Sequence, residues 1–176
     1  MTLKLKRTPG LYLVGFMASG KTTIGKSLAD HLGWPLFDID AEIERREGMP
    51  IAQIFEERGE PAFRDLETET IRQRVHLIQA GMPSVVVLGG GAFVQARNFE
   101  ILENNGVTLW LDCPLEIVRR RLGDDDTTRP LARNPQLLAQ LYEDRRPLYS
   151  RADFRIEIAD ENVEAVVERV LALPIF

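Results

Sequence analysis

Residues 15–22 read Gly-Phe-Met-Ala-Ser-Gly-Lys-Thr and fit the pattern G-x-x-x-x-G-K-[ST] without a mismatch. The residues before them, LYLVG (11–15), have the apolar run of a buried strand. The residues after them, roughly 21–32, have a helical pattern that ends at Gly33. A strand before and a helix after are what make this motif meaningful rather than a chance glycine turn. Glycines allow successive backbone N–H groups to curl around an anion. The unpaired N–H groups of the helix start add to the same field. In such a loop Lys21 reaches the β- and γ-phosphates of a nucleoside triphosphate, and Thr22 offers its hydroxyl to Mg²⁺. The candidate cradle runs from Gly15 through Ala18, Ser19 and Gly20 to Lys21, Thr22 and Thr23.

The rest of the chain repeats the alternation that this motif begins. Further strand patterns are LFDID (36–40), SVVVLGGG (84–91), VTLWLD (107–112) and DFRIEI (153–158). Between them lie helical patterns at about 41–47, 51–58, 62–79, 97–104, after Pro114, 135–146 and 161–172. Strands that alternate with helices of 10 to 15 residues argue for a parallel sheet covered on both faces. VVVL and LYLV are apolar at every position, as a doubly covered sheet requires. The expected fold is therefore α/β, three layers around a parallel sheet, in one domain over 1–176. Ligands of such sheets sit at the carboxyl ends of the strands. Residues 123–135 are polar, with glycine and proline, and read as a loop.

Composition narrows the function classes. The 176 residues include one cysteine, Cys113, so a disulfide scaffold and a cysteine-rich zinc site are both excluded. No apolar run is long enough to span a membrane. The basic start leads into a short strand and a glycine loop, so no signal peptide is expected and the expected compartment is the cytoplasm. The 22 basic and 27 acidic residues give a net charge of −5, which argues against a nucleic-acid binder. Lysines occur only at 4, 6, 21 and 26, whereas nine arginines fall between Arg119 and Arg155. Arginine's planar fork of donors suits phosphate and carboxylate. A local anion-handling region inside an acidic protein is plausible, although any one of these arginines is equally readable as a solvated helix residue.

Several further residues carry candidate chemistry. Asp38 and Asp40 end the second strand pattern, where residues i and i+2 share a face. One carboxylate could hold a metal-bound water and the other could accept a proton from a hydroxyl nucleophile. The alternative is that the pair caps the helix beginning near Ala41, with Asp40 as the natural cap. No aspartate directly follows VVVL, and Asp38 is the best replacement for the missing metal-holding carboxylate. Arg64 has Glu67 three residues on, on the same helix face, either as an ordinary surface pair or as a fork held in one orientation. Gly89, Gly90 and Gly91 imply either a tight turn or a close approach of backbone to ligand. Arg129 lies in the polar loop, a candidate lid. Arg145 stands near the end of a helix, where a cation also favours the dipole. His31, His76, Cys113, Trp34 and Trp110 read as structural.

In order, GFMASGKT, FDID, IAQIFEERGEPAFRDLE (51–67), LGGG, TRPL and RRPLY resemble the shikimate kinase family from about residue 10 to the C-terminus. The phosphate loop alone would indicate only a superfamily; the other motifs specify the substrate. The resemblance implies a five-stranded parallel sheet in the order 2-3-1-4-5, a substrate-binding helical region at about 41–67 and a lid at about 122–135. It implies transfer of the ATP γ-phosphate to the 3-hydroxyl of shikimate, in the pathway to chorismate and the aromatic amino acids. Lys21 would contact phosphates, and Thr22 and Asp38 would serve Mg²⁺. Asp40 would bind the substrate hydroxyls and act as the base. Arg64, held by Glu67, and Arg145 would grip the shikimate carboxylate. Gly89, Gly90 and Gly91 would line the substrate, with Gly90 as a backbone donor, and Phe55 and Phe63 would wall its ring. Arg129 would reach the phosphates from the lid, and Arg120 would stack near adenine. Where the family often has a proline against adenine, this chain has Val163, an apolar side chain that can still cover a ring.

Two other readings compete. One is a kinase for another small acceptor, such as gluconate or a nucleoside monophosphate, which the loop fits equally well. The other is a nucleotide-binding module without turnover. Without a heptad seam or an apolar stripe, the expected state is a monomer.

Overall fold

The computed structural model describes residues 10–123, 133–159 and 162–175. In chain order its elements are β1 (Gly10–Val14), α1 (Lys21–Leu32), β2 (Leu36–Asp38), α2 (Ile39–Glu47), α3 (Ile51–Gln79) and β3 (Ser84–Val87). There follow α4 (Ala96–Leu102), β4 (Val107–Asp112), α5 (Leu115–Leu122), α6 (Pro135–Tyr149), β5 (Phe154–Glu157) and α7 (Val163–Leu171). The five strands form one sheet in the order β2-β3-β1-β4-β5, and each adjacent pair is parallel. This is the expected order.

Every residue of β1, β3 and β4 is buried. Alternate residues of a strand point to opposite faces, so both faces of the central sheet are covered. The α1 helix packs on β3 and α7, and α3 packs on α2 and α4. The approach of α1 is set by Gly25. A Cβ there would lie 2.9 Å from Val87 Cγ2, 3.1 Å from Leu13 Cδ1 and 3.2 Å from Leu36 Cδ1. Three strands thus meet the helix at a residue with no side chain. That close packing holds the phosphate loop, which enters α1 about one turn earlier, against the strand ends.

Several element boundaries differ from the sequence expectation, for local reasons. The second strand stops at Asp38, not residue 40, because Asp38 caps α2 by accepting from Ala41 N at 3.2 Å. Asp40 therefore lies in the first turn of a helix, and the shared-strand-face argument for Asp38 and Asp40 does not hold. The cap itself is Asp38 rather than Asp40. The strand at 84–91 ends at Val87, before the glycines. The two helices expected at 51–58 and 62–79 run together as α3, broken at Gly59, whose φ of 81° and ψ of 167° are not helical. The helix expected at 135–146 continues to Tyr149 through Pro147, so Arg145 sits one turn before its end.

Replacing Gly25 with valine forces a branched side chain into contacts that are already close. Overpacking of this kind costs about 1 to 3 kcal/mol, or roughly 2 to 12 °C in a domain of this size. We expect Gly25→Val to lower Tm by that amount in a calorimetric scan. An unchanged Tm would show that α1 can move off the sheet freely.

Candidate active site

The phosphate loop turns away from β1 at Gly15. Its φ is 147°, and a Cβ there would be 2.7 Å from the Leu111 carbonyl oxygen. Two other loop residues, Ala18 (φ 56°) and Gly20 (φ 93°), also have positive φ. For Ala18 this left-handed conformation costs about 1 to 2 kcal/mol, a strain retained at the centre of the motif. Lys21 is buried, and its ammonium donates to the carbonyls of Gly15 (2.9 Å) and Phe16 (2.8 Å). Ser19 is fully buried, and its hydroxyl has no hydrogen-bond partner among the described groups. Thr22 is exposed, and its hydroxyl donates to Asp38 Oδ2 at 3.0 Å.

Asp40 faces the loop from the first turn of α2. It is packed against Gly89, where a Cβ would lie 2.8 and 2.9 Å from its two carboxylate oxygens. Its Oδ1 is buried and has no hydrogen-bond partner among the described groups. Burial raises its pKa to about 6. Repulsion from Asp38 adds to that shift, and Lys21 and Arg64 oppose it. Asp40 is thus a carboxyl in the field of two cations, with a buried Oδ1 that no described group engages.

The other two glycines receive two arginines. At Gly91 a Cβ would meet the Arg64 guanidinium at 2.5 to 3.0 Å, and at Gly90 it would be 3.4 Å from Arg145 Nη1. The Gly90 carbonyl also accepts from the Tyr149 hydroxyl at 2.5 Å. Both arginines therefore lie against bare backbone, with no competing side chain. Arg64 Nη1 donates to Glu67 Oε1 at 2.9 Å, and Glu60 accepts at 3.3 Å on the outer side. Glu67 is 1% exposed. Burial raises its pKa to about 7, against the opposing pull of Arg64. The surface-pair reading of Arg64 and Glu67 fails at this point. Phe55 and Phe63 stand beside the arginine with ring centroids 4.8 Å apart, and the Arg64 guanidinium is 5.2 Å from the Phe63 centroid.

The structure brings together Lys21, Thr22, Asp38, Asp40, Arg64, Glu67, Gly89, Gly90, Gly91 and Arg145. Arg129 lies outside the described residues. In the run of three arginines, Arg121 donates to the Ala18 carbonyl of the loop at 3.0 Å, a contact the sequence reading did not anticipate. Sequence reasoning passed over Arg121 because consecutive arginines carry no signal of which one meets the loop. The same reasoning missed Tyr149, whose place beside Gly90 depends on the helix continuing past Pro147. Val163 begins α7, partly buried against the core. Cys113 is buried, and its thiol pKa is raised by burial. The His31 ring donates from Nδ1 to the Ser27 carbonyl oxygen, one helix turn earlier, at 2.9 Å.

Thr22 and Asp38 offer one hydroxyl and one carboxylate oxygen, a hard-oxygen pair suited to Mg²⁺, which keeps most of its waters and binds through one or two protein groups. Among the described residues there is no cluster of three or more metal-ligating His, Cys, Asp or Glu side chains. Nor is any helix among them long and apolar enough to cross a membrane.

A strained glycine loop with an inward lysine, at the strand ends of a 2-3-1-4-5 parallel sheet, defines a phosphate-loop nucleotide-binding fold. The chain belongs to the shikimate kinase family, whose model matches residues 17–173. The shikimate kinase of Persephonella marina is 41% identical over 92% of this chain and 96% of its own. Among solved structures, the shikimate kinase of Acinetobacter baumannii in complex with shikimate has a TM-score of 0.85 and 38% identity, covering 93% of this chain and 91% of its own. The enzyme from Aquifex aeolicus has a TM-score of 0.81 and 36% identity over 92% and 94%. Enzymes of this family take ATP as their phosphoryl donor. Membership does not favour gluconate or a nucleoside monophosphate as the acceptor.

The raised pKa of Asp40 carries a stability consequence. A carboxyl whose pKa is higher in the folded state adds stability below its unfolded pKa, and that contribution is lost as pH rises through the folded value. Asn resembles the neutral carboxyl and carries no such penalty. We therefore expect Asp40→Asn to be more stable than wild type at pH 8. The Tm difference should open between about pH 4 and 6. A variant less stable than wild type across that range would refute the desolvation of Asp40.

Proposed function

We propose that this chain transfers the γ-phosphoryl group of ATP to the 3-hydroxyl of shikimate, with Asp40 as the group that orients and deprotonates that hydroxyl. The observation that carries this reading is the setting of Asp40. It is a carboxyl whose pKa burial raises to about 6, with one buried, unpartnered oxygen, seated on Gly89 and in the field of Lys21 and Arg64. A base is most effective when its pKa lies near working pH. Arg64 and Arg145 would grip the substrate carboxylate, and the backbone of Gly89 to Gly91 would receive the ring. Phe55 and Phe63 would wall it.

On the nucleotide side, the N–H groups of the loop from Gly15 through Ala18, Ser19 and Gly20 to Thr23 would cradle the phosphates. Lys21 would leave its two carbonyls for phosphate oxygens. Mg²⁺, when bound, supplies neutralising charge on those oxygens; Thr22 and Asp38 are the residues that would hold it. Arg120 and Arg121 would serve the nucleotide from α5. Arg129 would come from the segment at about 122–135, in the role of a lid that excludes water. Phosphoryl transfer needs no covalent intermediate here, because positioning and charge neutralisation supply most of the catalysis. Residues 41–67 form the proposed substrate-binding region of a single kinase domain. The phosphate loop, Asp40, Arg64 and Arg145 converge at one set of strand ends, which is consistent with the expected monomer as the working unit. The need for ATP supports a cytoplasmic setting.

An ADP-release assay across shikimate, gluconate, AMP and CMP tests the acceptor. Shikimate should turn over, and equal turnover with a nucleotide would overturn the assignment. ATP binding without acceptor-dependent ADP would indicate a module without turnover. Asp40→Asn should lower kcat by roughly 10²- to 10⁴-fold with ATP affinity retained. Arg64→Ala and Arg145→Ala should raise shikimate KM, by about 10- to 160-fold for a charge-assisted bond worth about 1.5 to 3 kcal/mol. If both arginine variants keep wild-type KM and kcat, the carboxylate clamp is wrong. The acid limb of kcat/KM should fall between about pH 7 and 6, where the Asp40–Glu67 pair takes up protons. Sedimentation of a stable dimer at low micromolar concentration would refute the monomer.

A further inference from the structure

Asn98, in the first turn of α4, is fully buried and touches none of the groups proposed to meet substrate or nucleotide. Its side-chain amide nevertheless joins the two surfaces that hold Arg64. The Nδ2 group donates to the Ala92 carbonyl at 2.9 Å and, at 3.5 Å, to Glu67 Oε1. Glu67 Oε1 is the same oxygen that accepts from Arg64 Nη1. Ala92 directly follows Gly91, whose bare backbone lies under the Arg64 guanidinium. The amide is itself held in orientation, because Thr68 Oγ1 donates to Asn98 Oδ1 at 2.7 Å. That bond assigns the amide's oxygen to α3 and leaves its N–H groups for the glycine loop and Glu67.

We propose that Asn98 is a positioning residue for Arg64, locking the Glu67 carboxylate and the Gly91–Ala92 backbone into one frame around the guanidinium. This inference rests on the assignment of Arg64 to the shikimate carboxylate. Its consequence for pH follows from what faces Glu67. On α3 the charge is Arg64, on α4 the neighbours are the Asn98 amide and, further off, Arg97, and from α2 Asp40 acts with the opposite sign. Glu67 holds Arg64 strongly only when ionised, and burial already opposes that. A donor lost from Glu67 makes ionisation harder still, so Arg64 loses its anchor at a higher pH. A merely structural residue would alter stability without moving that limb.

The test is steady-state kinetics on Asn98→Leu, with Asn98→Leu also placed in an Arg64→Ala background. Leucine has similar bulk and removes both donors. We expect shikimate KM to rise about 3- to 10-fold, the loss of an ordinary hydrogen bond, with ATP KM within about twofold of wild type. The acid limb of kcat/KM for shikimate should move to higher pH. In the Arg64→Ala background, Asn98→Leu should add nothing to KM, because residues acting through one group are not additive. If Asn98→Leu fails to fold, Thr68→Val, which removes the bond that orients the amide, is read by the same criteria with a smaller change. An unchanged shikimate KM in the folded variant, or a full additional loss in the Arg64→Ala background, overturns the linkage while leaving Arg64 in its proposed role. An Arg64→Ala enzyme with wild-type KM overturns that role and the linkage with it.

Discussion

The site depends on one close approach of backbone to backbone. β1 leaves the sheet at Gly15 where the Leu111 carbonyl of β4 is so near that a Cβ would overlap it. The chain must turn at once, and the turn places the carbonyls of Gly15 and Phe16 where the Lys21 ammonium can reach both. A buried ammonium without such partners would carry a desolvation cost of several kcal/mol. With them it is held inside the loop, and under the proposed function it would exchange carbonyl oxygens for phosphate oxygens. Gly25, farther along α1, keeps that helix on the sheet, so the loop cannot drift from the strand ends that carry Asp38 and Gly89.

A second set of glycines acts as the counterpart of the first. Gly89, Gly90 and Gly91 are packed by charged side chains of other elements. They leave room for Asp40, Arg145 and Arg64, each of which lies where a side chain would otherwise stand. The absence of three Cβ atoms thus lets one carboxylate and two guanidinium groups converge from α2, α6 and α3. Tyr149 and Asn98 secure this segment from two sides, through the Gly90 and Ala92 carbonyls. Such convergence is costly. Asp40 and Glu67 both have raised pKa values because burial outweighs the cations near them. The fold retains two destabilised carboxylates at the one place where catalysis would use them, as functional sites commonly do.

The alternation of strands and helices, the parallel sheet and the phosphate loop were legible in the sequence, because each depends on local patterning. Apolar runs, glycines at fixed spacing and a following helix are readable one segment at a time. Where local reading failed, a tertiary contact or a cap had decided the outcome. Asp38 ended its strand early by capping α2, and that moved Asp40 from a strand face to a helix turn. The α6 helix ran on through Pro147, and that carried Tyr149 to Gly90.

By itself the sequence determined the order of elements, the loop that would receive phosphates and the residue types available to meet a small anionic acceptor. These follow from backbone chemistry within a few residues, where glycine, lysine and threonine act in fixed register. The tertiary structure alone decided which charges would feel one another. Arg64 and Glu67 are an ordinary helix pair in sequence, and only burial beneath α4 makes them an anchored fork. Arg121 is one of three adjacent arginines, and only the packing of α5 selects it for the loop. Asn98 is one asparagine among several, and its bonds to Glu67 and Ala92 exist only once α3, α4 and the glycine loop have met. Electrostatic strength depends on distance and on exclusion of water, and neither quantity is present in a linear chain.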